Sequence, residues 1–356
     1  MSTLTYAPAL ARYNRPLHWL AVLTACATFP LIFMGGLVTS HGAGMAVPDW
    51  PNSFGYNMFL FPPSLWIGGI FYEHVHRLMG TVVGFLSLLL AGWAIYSERG
   101  GARLWLSVAV LVGVIFQGVL GGLRVVLVDL NLAVVHGCVA QAFFCLTMAA
   151  VIFTSRWWIE APMTADAGGR RLFKLAAVTV GVIYLQLVAG ALMRHYKAGL
   201  AIPDLPLAYG KVLPPMDATA LDAANQVRAY DLHLPPVTLG QVWLHFAHRL
   251  GAVAVTIFLL WTCVKVFLTQ RGRPALFRPA LLLVFLLAVQ ITLGVLTVLD
   301  RKPADIASAH VAVGALVLVT TFALAMRSWR LFPRTVSIHL SEPEAARLAG
   351  SAPVAS

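Results

Sequence analysis

Charged side chains are scarce in this chain. Asp, Glu, Lys and Arg make up 11% of its 356 residues, whereas an ordinary soluble domain carries about 25%. Hydrophobic residues make up 59% of the chain. This composition excludes a soluble enzyme, a disordered chain and a fibrous repeat. It predicts an integral membrane protein with many spans.

Cysteine is scarce as well. No cysteine forms a CxxC pair or lies in a predicted outer loop, and all four fall inside apolar segments: Cys26, Cys138, Cys145 and Cys263. We therefore expect no disulfide and no thiolate metal site.

Eight apolar segments are each long enough, at roughly 20 residues, to cross a bilayer. They cover residues 17–38, 78–96, 104–123, 132–153, 175–193, 250–268, 280–299 and 306–326. The first segment is too long for a signal peptide and has no small-residue cleavage site, so we expect it to remain as the first span.

Lys and Arg are absent from the stretch between Arg15 and Arg77. Sixteen of the twenty-five Lys and Arg lie at the termini and in loops 97–103, 154–174 and 265–279, on one side of an eight-span chain. With five acidic residues, that side carries the full net charge of +11, and the opposite side is neutral. The positive-inside rule predicts that both termini are in the cytoplasm, and we expect the protein in the cell (inner or plasma) membrane. No nucleic-acid partner is needed to explain the charge.

An internal repeat divides the chain. Residues 44–51, GMAVPDWP, match residues 199–206, GLAIPDLP, at an offset of 155. The other matches have offsets of 172–174, because of an insertion around 211–237: HRL at 76 and 248, QxxxG at 117 and 290, and a histidine at 136 and 310. The sequence predicts an all-α polytopic membrane protein with two tandem, parallel-repeat four-helix bundles. Residues 1–160 form the first unit and 170–330 the second; 331–356 are expected to be a disordered cytoplasmic tail.

Histidine is concentrated on the outer side, where nine of the eleven fall. His76 and His248 open the second and sixth spans, and His136 and His310 lie about a turn into the fourth and eighth. Each unit thus offers two imidazoles at matching depth, as in axial ligation of a haem iron, although imidazole also binds copper and zinc. Glycines near the outer helix ends leave room for a flat ligand, and helix packing explains them equally well: Gly35, Gly36, Gly121, Gly122 and Gly190.

Charged residues accompany these histidines. Arg77 and Arg249 each follow one, and arginine binds carboxylates such as haem propionates bidentately. Glu73 lies three residues before His76, on the same helical face, whereas His245 holds that place in the second unit. A carboxylate beside an apolar site can act as a general base or stabilise a developing cation. This asymmetry predicts chemistry in the first unit, unless Glu73 is an exposed surface residue.

The first outer loop, residues 39–64, is rich in Gly, Pro, Trp and Phe. We expect it to fold over the mouth of the first bundle, with Asp49, like Asp204 in the second unit, as a turn residue. No ligand role is assigned to His41, His74 or His195.

The combined motifs EHVHR at 73–77, His136, His248-Arg249 and His310 resemble the haem A synthase family over about residues 17–326. The resemblance implies oxidation of the C8 methyl group of haem O to a formyl group, giving haem A for terminal oxidases. It implies that His248 and His310 hold a haem b. It also implies that His76 and His136 flank the substrate haem O, with Glu73 as the catalytic carboxylate. Many bacterial members carry a cysteine pair in the first outer loop; this chain has none there.

The partners that follow are haem O, haem O synthase, an electron acceptor, terminal-oxidase assembly and membrane lipid, with a homo-oligomer left open. One alternative is a two-haem membrane electron-transfer protein of the cytochrome b type, which would keep both haems unmodified. A transporter is a further alternative, for which inverted repeats and charged helix midplanes would be typical.

Overall fold

The computed structural model describes residues 12–164 and 167–333, and this part of the chain forms ten α-helices. Their bounds are α1 Arg15–Ser40, α2 Gly69–Ser97, α3 Ala102–Val126, α4 Leu130–Thr154, α5 Arg156–Glu160, α6 Ala167–His195, α7 Ala218–Tyr230, α8 Leu239–Thr269, α9 Pro274–Leu299 and α10 Ala304–Leu331. The predicted tail, 331–356, lies outside the described residues except for its first three.

Eight of these helices are long and apolar enough to cross a membrane, which confirms the predicted all-α, eight-span chain. The other two are short: α5 follows α4, and α7 lies in the insertion after α6. Side-chain caps define several helix starts: Asn14 accepts from the Leu17 N–H, and Thr238 forms a capping box with Gln241.

Two helices begin well before the predicted spans. α2 begins at Gly69 rather than at 78, and α8 begins at Leu239 rather than at 250. The added turns contain Glu, His and Arg, which lower the hydropathy of the sequence but find hydrogen-bond partners in the outer loops. His76 and His248 therefore lie inside their helices rather than at the mouths.

The helices pack as two closed rings. α1, α2, α3 and α4 contact one another in sequence, and α4 returns to α1; α6, α8, α9 and α10 repeat this order. Separate apolar cores fill the two rings, around Leu90 and Val110 in the first and around Leu259 and Leu283 in the second. The division into units 1–160 and 170–330 stays a prediction, and these contacts are consistent with it.

The seam between the rings is formed by α1, α4, α6 and α10. α1 contacts α10, α4 contacts α6, and α4 contacts α10. When each helix is replaced by its counterpart in the other ring, the contact of α1 with α10 becomes that of α6 with α4, and the contact of α4 with α10 is unchanged. This pattern is expected for a parallel repeat around an axis along the membrane normal.

The outer loops after α1 and α6 share their backbone contacts. Asp49 accepts hydrogen bonds from the N–H groups of Phe54 and Gly55, and Asp204 accepts from those of Tyr209 and Gly210. Burial alone would raise the pKa of Asp49, but these donors outweigh it and hold the pKa below its ordinary value. Both aspartates thus organise turns, as predicted.

Candidate functional site

Four histidines project from the second and fourth helices of each ring. His76 on α2 faces His136 on α4, with ring centroids 6.5 Å apart and planes at 85°. In the second ring, His248 on α8 and His310 on α10 hold the equivalent places, against Gly190 and Gly294. The structure therefore brings the first predicted pair into contact and places the second pair in the matching positions.

Each histidine packs against a glycine of the preceding spanning helix. A Cβ built on that glycine would lie 3.0–3.2 Å from Cε1 of the imidazole, which is closer than ordinary van der Waals contact. The four pairs are Gly35 with His76, Gly121 with His136, Gly190 with His248 and Gly294 with His310. Contact between helix backbones does not require that all four glycines face a histidine. We infer that these glycines seat the imidazole rings, that is, that they leave the space in which the rings lie.

A glutamine lies one turn before three of these glycines. Gln186 Nε2 is 3.1 Å from Nδ1 of His248, and Gln290 Nε2 is 3.4 Å from Nε2 of His310. Gln117 donates to the backbone carbonyl of His136 at 3.3 Å. One turn before the fourth glycine, Gly35, the residue is Leu31 rather than a glutamine. His76 is thus the one histidine of the four with an apolar side chain at this position.

Glu73 is buried, not an exposed surface residue, and only 2% of its surface is accessible. One carboxylate oxygen accepts from the Val47 N–H at 2.9 Å, and the other pairs with Arg77 at 2.9 Å. In the second ring, His245 Nδ1 accepts from the N–H of Ile202, the counterpart of Val47, at 3.2 Å. Glu73 and His245 therefore anchor equivalent loops, and only the first anchor carries negative charge.

Arg77 and Arg249 also hold the outer loops. Arg77 donates to the carbonyls of Val47, Asp49 and Asn52, and Arg249 donates to three carbonyls of the second loop. Both Nη groups of Arg77 are engaged, because Nη2 also reaches Glu73. The Nε of Arg249 is buried and has no hydrogen-bond partner among the described residues.

The first outer loop covers the first histidine pair, as predicted. The indole of Trp50 packs on the backbone of Gly122, where there is no room for a side chain. His74 is fully buried and lies 3.2 Å from Ser53 Oγ, so it packs the loop onto α2. His41 is exposed and stacks on Tyr72, with centroids 4.1 Å apart. His195 contacts the Ala191 carbonyl of its own helix.

Sequence reasoning missed one charged residue near the first pair. Arg124, in the last turn of α3, donates to the Gly44 carbonyl of the loop at 3.0 Å and lies three residues after Gly121, which contacts His136. A signal was present in the sequence, because the repeat places an uncharged residue, Thr297, at the equivalent position.

Comparison with known proteins decides the family. The family model for COX15-CtaA, cytochrome oxidase assembly protein, matches residues 68–322, which contain both histidine pairs and Glu73. The chain belongs to the COX15-CtaA family. Relatives of this COX15-CtaA chain carry the name heme A synthase. The protein from Shewanella oneidensis is 26% identical over 337 residues, covering 88% of this chain and 97% of its own. That from Bradyrhizobium is 31% identical over 294 residues, covering 79% and 75%.

The spacing of the first histidine pair is compatible with an iron porphyrin between its two rings. The described residues contain no group of three or more His, Cys, Asp or Glu that could hold a bare metal ion, whereas a porphyrin supplies the remaining ligands itself. Metal–nitrogen bonds of about 2.0–2.1 Å on opposite sides of one ion place two imidazole centroids about 6 Å apart, close to the 6.5 Å observed.

Proposed function

We propose that this chain is a haem A synthase, which oxidises the C8 methyl group of haem O to a formyl group and supplies haem A for terminal oxidases. The observation that carries this proposal is the asymmetry of the two sites: matching histidine pairs, each seated on glycines, with a buried carboxylate beside only one of them. The names of the relatives favour haem A synthesis over the alternative of a two-haem electron carrier.

In this proposal, His76 and His136 are the axial ligands of the substrate haem O, and His248 and His310 are those of a resident haem b. Bound iron porphyrin supplies the oxidising chemistry, as expected of a redox cofactor. The protein contributes fixed imidazoles and an outer loop that excludes water from the first site. An amide lies beside each ring of the second pair, whereas Leu31 holds that place beside His76.

Glu73 is the proposed catalytic carboxylate. Its hydrogen bonds from the Val47 N–H and Arg77 hold it three residues from His76 on the same helix face. A buried carboxylate in this position can accept a proton from the reacting group or stabilise positive charge that develops on it. His245 offers neither property to the second site while it accepts the Ile202 N–H.

Several further assignments accompany this role. Arg77 and Arg249 are proposed to contact haem propionates as well as the loops. We place the protein in the plasma membrane with cytoplasmic termini, so that both sites lie near the outer face. Its proposed partners are haem O synthase, an electron acceptor and the machinery of terminal-oxidase assembly.

A Glu73→His substitution tests the proposal, because it copies the loop anchor of the second ring and removes the carboxylate. The chain is expressed in cells that contain haem O synthase and no other haem A synthase, and extracted haems are identified by mass spectrometry. We expect haem A from the wild type. Loss of acid–base catalysis is worth about 10²–10⁴-fold in rate, so the variant should make at least about a hundredfold less haem A and still hold haem b.

The matched control is Glu98→Gln at the other end of α2. Glu98 is also a largely buried glutamate paired with an arginine, Arg103, at 2.6 Å, but it lies at the opposite end of the helix from the histidines. This control should make haem A at the wild-type level. Normal haem A output from Glu73→His would refute the role of Glu73, and unmodified haems alone in the wild type would refute the function.

A further inference from the structure

Arg124 is the arginine near the first histidine pair that the outer loop leaves least engaged. It is half-buried in the last turn of α3, three residues after Gly121, the glycine that seats His136. Residues three apart lie on the same face of a helix. Arg124 is therefore one turn closer to the outer surface than the contact between Gly121 and His136.

The hydrogen bonds of Arg124 and Arg77 differ in number. Arg77 uses both Nη groups on three loop carbonyls and Glu73. Arg124 donates from one Nη group to a single carbonyl, that of Gly44, and the other described residues offer it no acceptor and no ion pair. A guanidinium carries five N–H donors, so most donors of Arg124 are available to a ligand.

The position of Arg124 holds an uncharged residue in the second ring. The equivalent residue, Thr297, donates its hydroxyl to the Leu293 carbonyl of its own helix at 2.7 Å. The second loop instead meets a lysine from beyond the end of α9, because Lys302 packs on Gly199, the counterpart of Gly44. The first ring therefore differs in having a guanidinium three residues after the glycine that contacts the histidine of its fourth helix.

We propose that Arg124 binds a carboxylate of the porphyrin that lies between His76 and His136, and that it contributes more to this recognition than Arg77, whose Nη groups hold the loop and Glu73. This inference rests on the proposed function. An arginine fork matches a carboxylate bidentately, and such a contact fixes the rotation of the porphyrin in its plane. Arg124 would thereby determine which edge of the macrocycle is presented to Glu73.

The test measures carboxylate recognition directly. The full chain, purified with its resident haem from cells lacking haem O synthase, is titrated with iron protoporphyrin IX and with its dimethyl ester. Binding is followed by difference absorption, with His136→Ala as the blank for non-specific uptake. The wild type should bind the free acid at least about tenfold more tightly than the ester, because a charge-assisted hydrogen bond contributes this much.

In Arg124→Gln, the ratio of the two dissociation constants should fall to about one, with ester binding changed less than about twofold. Arg124→Lys should keep part of the preference, since it keeps the charge without the fork. Arg194→Gln is the matched control: Arg194 is a half-buried arginine of α6 that donates to the Gly36 carbonyl and Ser40 Oγ across the seam, and its loss should leave the ratio unchanged. The spectrum of the resident haem verifies folding in each variant.

An unchanged ratio in Arg124→Gln, or a ratio that collapses only in Arg77→Gln, would overturn the proposal. Equal binding of acid and ester by the wild type would overturn it while leaving the proposed function intact. A wild type that binds neither porphyrin beyond the blank would overturn both.

Discussion

The two residues at the loop anchors, Glu73 and His245, accept equivalent backbone N–H groups from Val47 and Ile202. A buried acceptor at this place therefore has a structural purpose in both rings. Only Glu73 adds charge, and a buried charge needs a partner, which Arg77 provides at 2.9 Å. The two loop anchors thus differ by a single substitution at a contact that the repeat otherwise keeps.

The glycine seats can be tested one residue at a time. Gly190→Val should displace the ring of His248, because a Cβ alone would lie 3.0 Å from its Cε1. Haem b recovered per chain, measured from the Soret absorbance, should fall several-fold. Gly181→Val on the same helix is the control, since a Cβ there meets nothing within 4 Å. Equal haem content in the two variants would show that Gly190 only packs helices.

The histidine pairs and Glu73 could be identified from the sequence because the repeat displays them twice, with one difference. The contacts of Arg77 with loop carbonyls could not, because a sequence does not show where backbone carbonyls point. Arg124 escaped notice for another reason: a lone arginine at a helix end is common at membrane interfaces, and only its sparse hydrogen bonding in the structure distinguishes it.

At the scale of elements, each outer loop is fastened to the helix that follows it. Arg77 on α2 and Arg249 on α8 each donate to three carbonyls of the preceding loop, and Glu73 and His245 accept one loop N–H each. This fastening explains why both helices extend beyond their apolar segments. Hydropathy located all eight spans, but it began these two late because it counts each polar residue as solvated.

Removing the hydrogen bonds between Arg77 and the first outer loop should make that loop more mobile. Arg77→Gln removes charge-assisted hydrogen bonds worth about 2 kcal/mol each, so amide exchange across 47–55 should accelerate at least about tenfold, measured by mass spectrometry. Arg103→Gln, at the opposite end of the bundle, should leave this segment unchanged. If exchange is as slow in Arg77→Gln as in the wild type, the packing of Trp50 and His74, rather than Arg77, holds the loop.

At the scale of the whole molecule, two similar rings meet along a seam in which equivalent helices of the two rings make equivalent contacts. Duplication provides two sites of one kind, and substitutions in one ring then allow a division of labour. The sequence predicted the rings from the repeat, although the helix α7 and the buried Arg228 within it, which binds the carbonyls of Leu200 and Pro235, belong to an insertion with no counterpart.

We propose that the first ring modifies haem and that the second ring holds a resident haem. The haem content of two single-histidine variants tests this assignment. Pigments are extracted from His136→Ala and His310→Ala, each expressed with haem O synthase, and identified by mass spectrometry. We expect that His136→Ala retains haem b and makes no haem A, whereas His310→Ala loses haem b. Retention of haem b in His310→Ala together with its loss in His136→Ala would contradict the account, because it would reverse the roles of the two rings.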